Sequence, residues 1–381
     1  MQEQEQEHGG LRQRPRPRLD PVVGKARKML GDLLGISTTG RPRGQYTLPP
    51  EDLGAGAAPA PLVLVACSGG PDSLALAAVA AFLSRRGEIR VGAVIVDHQL
   101  QLHSHRVAQA TAVTLRGLGL DPVEISTVTV TRGGVGPEAA ARHARYRALD
   151  AAASRLGART VLLGHTLDDQ AESVLLGLAR GSGTRSLAGI PQRRGVYLRP
   201  FLGLRRTETL DICTAEGLQP WHDPTNADPA FLRSRVRSRV LPFLEHELGP
   251  GVAQSLYRSA RILAQDADYL DEQAAVEYRR LAGEPATAPA AEVQLPEAGL
   301  RALPAALRQR VLALAVVGLG GEQPSFERLL AAETLLARRG SAGPVELAGG
   351  VSAFRQPRSR SVPQDASAYG KLVFRRNAQE H

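Results

Sequence analysis

The stretch that most restricts the fold is Leu62 to Ser73. There the apolar run LVLVAC stops at Ser68-Gly69-Gly70-Pro71-Asp72-Ser73, and a second, alanine-rich apolar run, Leu74 to Leu83, begins at once. A run that is apolar at every position suits a strand covered on both faces, and the run after the loop suits a helix. Glycines let the backbone approach an anion closely, and the amides at the start of the following helix point at it. The segment is therefore predicted to be a loop that grips pyrophosphate, with Ser68, Gly69, Gly70, Pro71, Asp72 and Ser73 as ATP-binding residues and cleavage between the α and β phosphates. Ser68 and Ser73 add hydroxyl donors, and Asp72 is a candidate ligand for a Mg2+ ion bridging phosphates. The loop lacks the lysine and spacing of a Walker loop and the spacing of a GxGxxG turn. The plain alternative is a strand-to-helix turn with Asp or Ser as cap, which leaves both glycines and one serine without a purpose.

The rest of the chain extends this pattern. Val91 to Val96, Pro122 to Val130 and Thr160 to Leu163 read as strands, and Ser104 to Leu118, Glu138 to Leu156 and Asp168 to Arg180 as helices. Strands separated by helices predict an α/β domain, a parallel sheet with helices on both faces. Ligands of such sheets lie beyond the carboxyl ends of the strands, so the loops after Cys67, Val96 and Leu163 are expected to converge. After Pro250 the texture becomes helical. Val252 to Leu281 carries Leu256, Ala260, Leu263, Ala267 and Leu270 on one stripe, and single helices are expected over Glu297 to Leu319 and Ser325 to Arg338, after a loop at Pro285 to Ala291. Val345 to Leu347, Val351 to Phe354 and Leu372 to Phe374 read as short strands around a Gly349-Gly350 turn. The expected division is 1–57 (an Arg/Pro arm, a short helix capped by Asp20, a linker), 58–248 (the α/β domain), 249–340 (a smaller, mostly helical domain) and 341–381 (a short β-containing segment).

Three further constellations carry chemistry. In Gly164 to Glu172, Asp169 and Glu172 are three apart on a predicted helix and could cradle a cation or ammonium together, although acids at a helix start are also ordinary capping chemistry. In Glu138 to Tyr146, Arg142 and Arg145 share a face suited to phosphate or to stacking on a base; a solvated helix face is the rival. In Arg233 to Arg239, four arginines at alternate positions are predicted to put Arg233 and Arg237 on one side of a helix and Arg235 and Arg239 on another, as a grip on several phosphates. The net charge of +9 comes from a basic set in which Lys25, Lys28 and Lys371 are the only lysines. An arginine excess of this kind fits a nucleic-acid partner. Cys67 and Cys213 are too far apart in sequence for a CxxC redox or zinc site. No apolar stretch reaches membrane-span length and the N-terminus lacks a signal-peptide core, so the cytoplasm is the default address and no membrane partner is expected.

Taken together these residues resemble the N-type ATP pyrophosphatases, the PP-loop enzymes, and within them the tRNA(Ile)-lysidine synthetase family. The resemblance rests on SGGPDS at Ser68 to Ser73, VDH at Val96 to His98, ARxxRY at Ala141 to Tyr146, GHxxDDQAE at Gly164 to Glu172, ARGSG at Ala179 to Gly183, DPTN at Asp223 to Asn226 and the RxRxR stretch leading to Leu241-Pro242. Ser234 and Ser173 stand where the family usually has Asn and Thr. The resemblance implies an adenine-nucleotide α-hydrolase-like, Rossmann-type fold. It also implies adenylation of the wobble cytidine of an isoleucine tRNA with a CAU anticodon, followed by attack of free L-lysine, with ATP and Mg2+ as cofactors. It assigns Asp72, Asp169 and Glu172 to catalysis, Arg142 to ATP, and Asp169, Glu172, Arg145, Arg233, Arg235 and Arg237 to lysine and tRNA. A homodimer is left open. Rival readings are a PP-loop tRNA thiolation enzyme, a ligase that adenylates a small acid, and a non-catalytic RNA-binding protein.

Overall fold

The computed structural model describes residues 19–36, 38, 60–99, 103–129, 136–223, 228, 230–283, 291–338, 342–356 and 370–377. The Arg/Pro arm, most of the linker, Pro224 to Asn226 and most of the 285–291 loop lie outside these residues. The chain divides into two compact units that meet at Ala260/Arg261.

The first unit is built on β1 (Leu62–Ala66), and every residue of that strand is buried. Its side chains alternate between two cores, as strand geometry requires. Val63, Val65 and Cys67 pack with α1 (Pro21–Leu34), α2 (Pro71–Ser84) and α3 (Ser104–Gly117), while Leu62, Leu64 and Ala66 pack against Leu149, Ala152 and Ala153 of α4 (Pro137–Leu156). This two-sided cover explains why the run is apolar throughout rather than at alternate positions. Helix α1 is capped as expected, the Asp20 carboxylate accepting from the Val22 N–H.

β2 (Arg90–Asp97), β3 (Val123–Thr127), β4 (Thr160–Leu163) and, numbered after the edge strand β5 (Arg193–Arg194), β6 (Tyr197–Leu198) complete the parallel part of the sheet, and β5 pairs antiparallel with β6 at one edge. The order is β3-β2-β1-β4-β6-β5, so the chain leaves β1 to one side and returns at β4 on the other. The switch between β1 and β4 opens a crevice at their carboxyl ends, where α/β sheets bind ligands. The two loops there touch: a Cβ added to Gly164 would lie 2.9 Å from the Asp72 carbonyl oxygen. Beyond β4 come α5 (Leu167–Ala179), a single turn α6 (Thr184–Leu187) and α7 (Arg206–Ala215). They are followed by α8 (Leu232–Arg235), which widens into a π-helical turn at Val236–Val240 before α9 (Leu241–Glu247).

Helix α10 (Val252–Ala282) crosses the boundary between the units. In the second unit the single helix expected over Glu297 to Leu319 is two, α11 (Glu297–Ala302) and α12 (Ala305–Gly318), broken where Pro304 supplies no N–H and caps the second. After α13 (Phe326–Ala337) the expected short strands are β8 (Ala342–Glu346), β9 (Val351–Gln356) and β10 (Lys371–Arg376). They are joined by an edge strand, β7 (Glu292–Pro296), that the sequence reading passed over. The sheet is antiparallel, ordered β7-β10-β9-β8, and Gly349 and Gly350 both take positive φ at its β8–β9 turn. The second unit is thus helices on an antiparallel sheet, with Val311, Val316, Leu335, Leu372 and Phe374 in its core.

Candidate active site at the carboxyl ends of β1 and β4

The loop after β1 is held by its own serines. The Ser73 hydroxyl accepts from the Ser68 N–H at 3.2 Å, donates to the Gly70 carbonyl at 3.0 Å and lies 3.4 Å from the Ser68 hydroxyl. Gly69 has φ +83, and a Cβ there would meet Thr111 Oγ1 at 2.5 Å, so only glycine fits this turn. Helix α2 begins at Pro71 with Gly70 as N-cap and no side-chain cap. Its first amides are therefore left for an anion, on the positive end of a helix. Beside the loop is a cavity of about 270 Å3. Val94 and Val96 of β2 line it, with His98, Arg145, Trp221 and the loop residues Ser68 and Gly70. Trp221 is fastened there by its backbone N–H donating to Gly69 O at 2.9 Å.

The two arginines of α4 separate. Arg145 stands at the cavity wall, and burial pushes its guanidinium below the ordinary arginine range. Among the described residues no carboxylate pairs with it. Arg142 is exposed and turns along its own helix, its guanidinium 5.1 Å from the Tyr146 ring centre. The structure thus brings Arg145, and not Arg142, to the loop.

The acid pair is present but enclosed. Thr166 caps α5, and one oxygen of Asp169 takes the Thr166 N–H (2.8 Å) and hydroxyl (3.0 Å) in a capping box. The capping alternative is therefore correct for that oxygen. The other oxygen faces Arg206 (3.1 Å), Arg237 (3.4 Å) and Arg233 (3.6 Å). The Glu172 side chain is fully buried. It accepts from Arg237 Nε (2.7 Å), Arg233 Nε (2.9 Å) and both terminal nitrogens of Arg206 (3.4 Å). Burial opposes ionisation of Asp169, yet Arg206, Arg233 and the Thr166 amide outweigh it and hold its carboxyl below the usual range. Burial lowers His165 to about 3, with Arg145, Arg199 and Arg233 acting the same way against Asp169, so its ring is neutral.

Arg233 and Arg237 share a side as expected, and that side meets acids; Arg235 is not brought there, one terminal nitrogen donating to the Ala230 carbonyl at 3.1 Å. Three contributors escaped the sequence reading: Arg205, Arg206 and Thr209. Arg205 pairs with Asp168 (3.0 Å), and Arg206 reaches Asp72 (3.6 Å) as well as Asp169 and Glu172. The Thr209 hydroxyl donates to Asp72 Oδ1. A signal existed: two adjacent arginines opening a helix oppose its dipole, so acids from elsewhere must compensate them.

Asp72 is the least compensated acid of the group. Burial raises its carboxyl from 3.8 to about 6, and Thr209 and Arg206 only partly offset this. Among the described residues no group of three or more His, Cys, Asp or Glu side chains could cage a metal. One under-compensated carboxylate beside an uncapped helix end does fit a cation whose remaining ligands are phosphate oxygens and water, the usual habit of Mg2+. Both cysteines are buried, and burial raises both thiols, Cys213 to about 12.

Comparison with known proteins agrees with this geometry. Residues 51–244 match the PP-loop domain family and residues 295–357 the TilS substrate binding domain. The tRNA(Ile)-lysidine synthase of Leifsonia xyli subsp. xyli is 51% identical over 292 residues, 77% of this chain and 87% of the relative. Those of Thermobifida fusca and Streptomyces coelicolor are 52% and 48% identical, covering 69% and 78% of this chain and 77% and 84% of theirs. A solved U34-tRNA thiolase from Methanococcus maripaludis superposes with a TM-score of 0.48 at 17% identity, covering 64% of this chain and 80% of that one. With an uncapped anion loop on the carboxyl side of a parallel sheet, and relatives of this identity spanning most of its length, the chain belongs to the tRNA(Ile)-lysidine synthase family of PP-loop, ATP-using enzymes.

Proposed function

We propose that this chain is an ATP-dependent carbon–nitrogen ligase that joins L-lysine to carbon 2 of the wobble cytidine in an isoleucine tRNA with a CAU anticodon. In this reading the cytidine carbonyl oxygen attacks the α-phosphorus of ATP and pyrophosphate leaves. The lysine side-chain amine then attacks carbon 2, and the former carbonyl oxygen departs on AMP. The observation that supports it most is the meeting, at one switch point, of an uncapped α2 N-terminus with a buried cluster of acids and arginines. The enzyme would act in the cytoplasm; no helix among the described residues is long and apolar enough to cross a membrane.

The chain's own groups divide the work. The first amides of α2 and the Ser68 hydroxyl would hold the pyrophosphate, with Ser73, whose proton goes to the Gly70 carbonyl, keeping the loop in shape; donors fixed in this way favour the departing anion. Arg145 would meet the phosphates from the cavity wall. Asp72 would hold Mg2+, which neutralises phosphate charge when bound. Asp169 and Glu172 would receive the lysine amine, which must shed the proton it ordinarily keeps up to about pH 10. Their lone pairs are already engaged by Arg206, Arg233 and Arg237, so the substrate's cationic group would replace one of these guanidinium groups as that arginine turns to a phosphate.

The thiolation reading loses ground because buried thiols with raised pKa values are poor nucleophiles. The deciding assay incubates the protein with unmodified tRNA, ATP and lysine and weighs the released nucleosides. A lysine adduct on cytidine is expected; sulfur incorporation, or pyrophosphate release with a small acid and no RNA product, overturns the reading. The placement of the α4 arginines gives a second test. Arg145→Ala is expected to raise the KM for ATP about tenfold or more, the value of a charge-assisted hydrogen bond. Arg142→Ala, on the outer face, should stay within about twofold. Equal effects would return Arg142 to the nucleotide site.

A further inference from the structure

We propose that Thr209 is a positioning residue for the metal-binding carboxylate, setting the orientation of Asp72 from a helix 137 positions away in the chain. The inference rests on the reading of Asp72 as the ligand of a nucleotide-bound cation. Thr209 is completely buried on α7, and its side chain has two acceptors within reach: Asp72 Oδ1 and the Arg206 carbonyl at 2.8 Å. A hydroxyl carries one proton, and an ionised carboxylate is a stronger acceptor than a backbone carbonyl. The proton therefore goes to Asp72 when that group is charged, while the carbonyl contact keeps the Thr209 oxygen in place.

This arrangement assigns different tasks to the two Asp72 oxygens. Oδ1 is committed to Thr209, and Oδ2 lies 3.6 Å from Arg206 Nε, beyond hydrogen-bond distance. Arg206 is itself drawn away by Asp169 at 3.1 Å and Glu172 at 3.4 Å, and its backbone N–H is taken by Asp168 at 2.7 Å. Among the described residues Oδ2 is thus the oxygen without a close donor, and Thr209 is the group that keeps the carboxylate from rotating it away. Asp72 occupies the first turn of α2, and a partly buried hydrogen bond between segments distant in sequence is the means by which α7 fixes a side chain that α2 leaves free to turn. Partners of this kind, behind a metal ligand, typically change metal affinity by about 10- to 100-fold when removed.

The test uses the full chain with a non-hydrolysable ATP analogue and Mn2+ as the probe, free Mn2+ being read by electron paramagnetic resonance. Thr209→Val keeps the shape and deletes the hydroxyl. It is expected to weaken Mn2+ binding about tenfold, with Thr209→Ser restoring most of the affinity and Asp72→Asn removing the site. The half-saturating Mg2+ concentration in turnover should move by the same factor as the Mn2+ affinity. If the valine variant does not fold by circular dichroism, Thr209→Ala must give the same loss with the same rescue by serine. Unchanged Mn2+ binding in the folded valine or alanine variant, while Asp72→Asn loses it, overturns the role of Thr209 and leaves Asp72 as the ligand. Full Mn2+ binding in Asp72→Asn overturns both.

Discussion

Asp72→Asn is expected to abolish lysidine formation and, at the same time, to stabilise the first unit. The loss of activity follows from removing the least compensated acid of the cluster beside the loop. The gain in stability follows from the same feature. Burial raises the Asp72 carboxyl from 3.8 to about 6, so between those values the folded chain holds a proton that the unfolded chain has released. Stability from this group is complete below about pH 4, falls as pH rises toward 6, and stays at the lower level above that. A shift of roughly two pH units corresponds to about 2–3 kcal/mol for a side chain this enclosed. Asparagine cannot ionise and can still accept from Thr209, so the variant escapes that cost. The stability difference between variant and wild type should be near zero at pH 4 and reach about 2–3 kcal/mol above pH 7. Urea unfolding followed by Trp221 fluorescence measures it, since Trp221 is the sole tryptophan and is bonded to the loop. An asparagine variant less stable than wild type at pH 7.5 would mean that Asp72 is fully compensated in the folded chain. A residue that weakens the fold while serving the reaction is the usual mark of a site organised for a ligand.

How much of this was legible in the sequence depended on how local the cause was. The β1–loop–α2 unit could be read because its causes lie within twelve residues: a two-sided apolar run, glycines, and a proline opening the helix. The pairs Asp169/Glu172 and Arg233/Arg237 could be read from helical spacing alone. That these two pairs bind each other could not, since Glu172 and Arg233 are 61 residues apart and meet only because the chain returns along α5. Thr209 was invisible for the same reason, and Arg206 showed only its conflict with the helix dipole, not its partners. Their acid partners come from α2 and α5. The separation of Arg142 from Arg145 was hidden for another reason. Helix α4 has small apolar residues on several sides, so which side faces the sheet was decided by how Ala144 and Leu149 pack, not by an apolar stripe. β5 and β6 are two residues each, too short to show any period, and β7 is an edge strand whose alternation is only partly buried. The break at Pro304 was readable, because a proline in a helical pattern removes a donor, and the apolar residues on both sides of it concealed the stop.

Glu172→Gln is expected to have the opposite thermodynamic sign from Asp72→Asn while also stopping turnover. Glu172 is the buried centre of the cluster, its two oxygens shared among Arg206, Arg233 and Arg237. Replacing it with a neutral amide leaves three guanidinium groups facing Asp169 and the more distant Asp72. Removing one partner of a buried ion pair typically costs about 3–5 kcal/mol, because the remaining charge is left desolvated and unpaired. Adding Arg237→Gln should return part of that loss, since one of the stranded charges then disappears. The coupling between the two positions should be about 0.5–3 kcal/mol, as for residues in direct contact. Activity should not return with stability, because the carboxylate proposed to receive the lysine amine is still absent. Urea unfolding and lysine-dependent AMP release, measured on the two single variants and the double, separate the cases. If the double variant is no more stable than Glu172→Gln alone, Arg237 is not held by Glu172 in solution. If Glu172→Gln keeps its turnover, the amine is received elsewhere and the cluster serves the fold alone. The two substitutions thus divide the acids by their charge balance: Asp72 is short of positive charge until a cation arrives, and Glu172 is surrounded by it until a substrate cation takes an arginine's place.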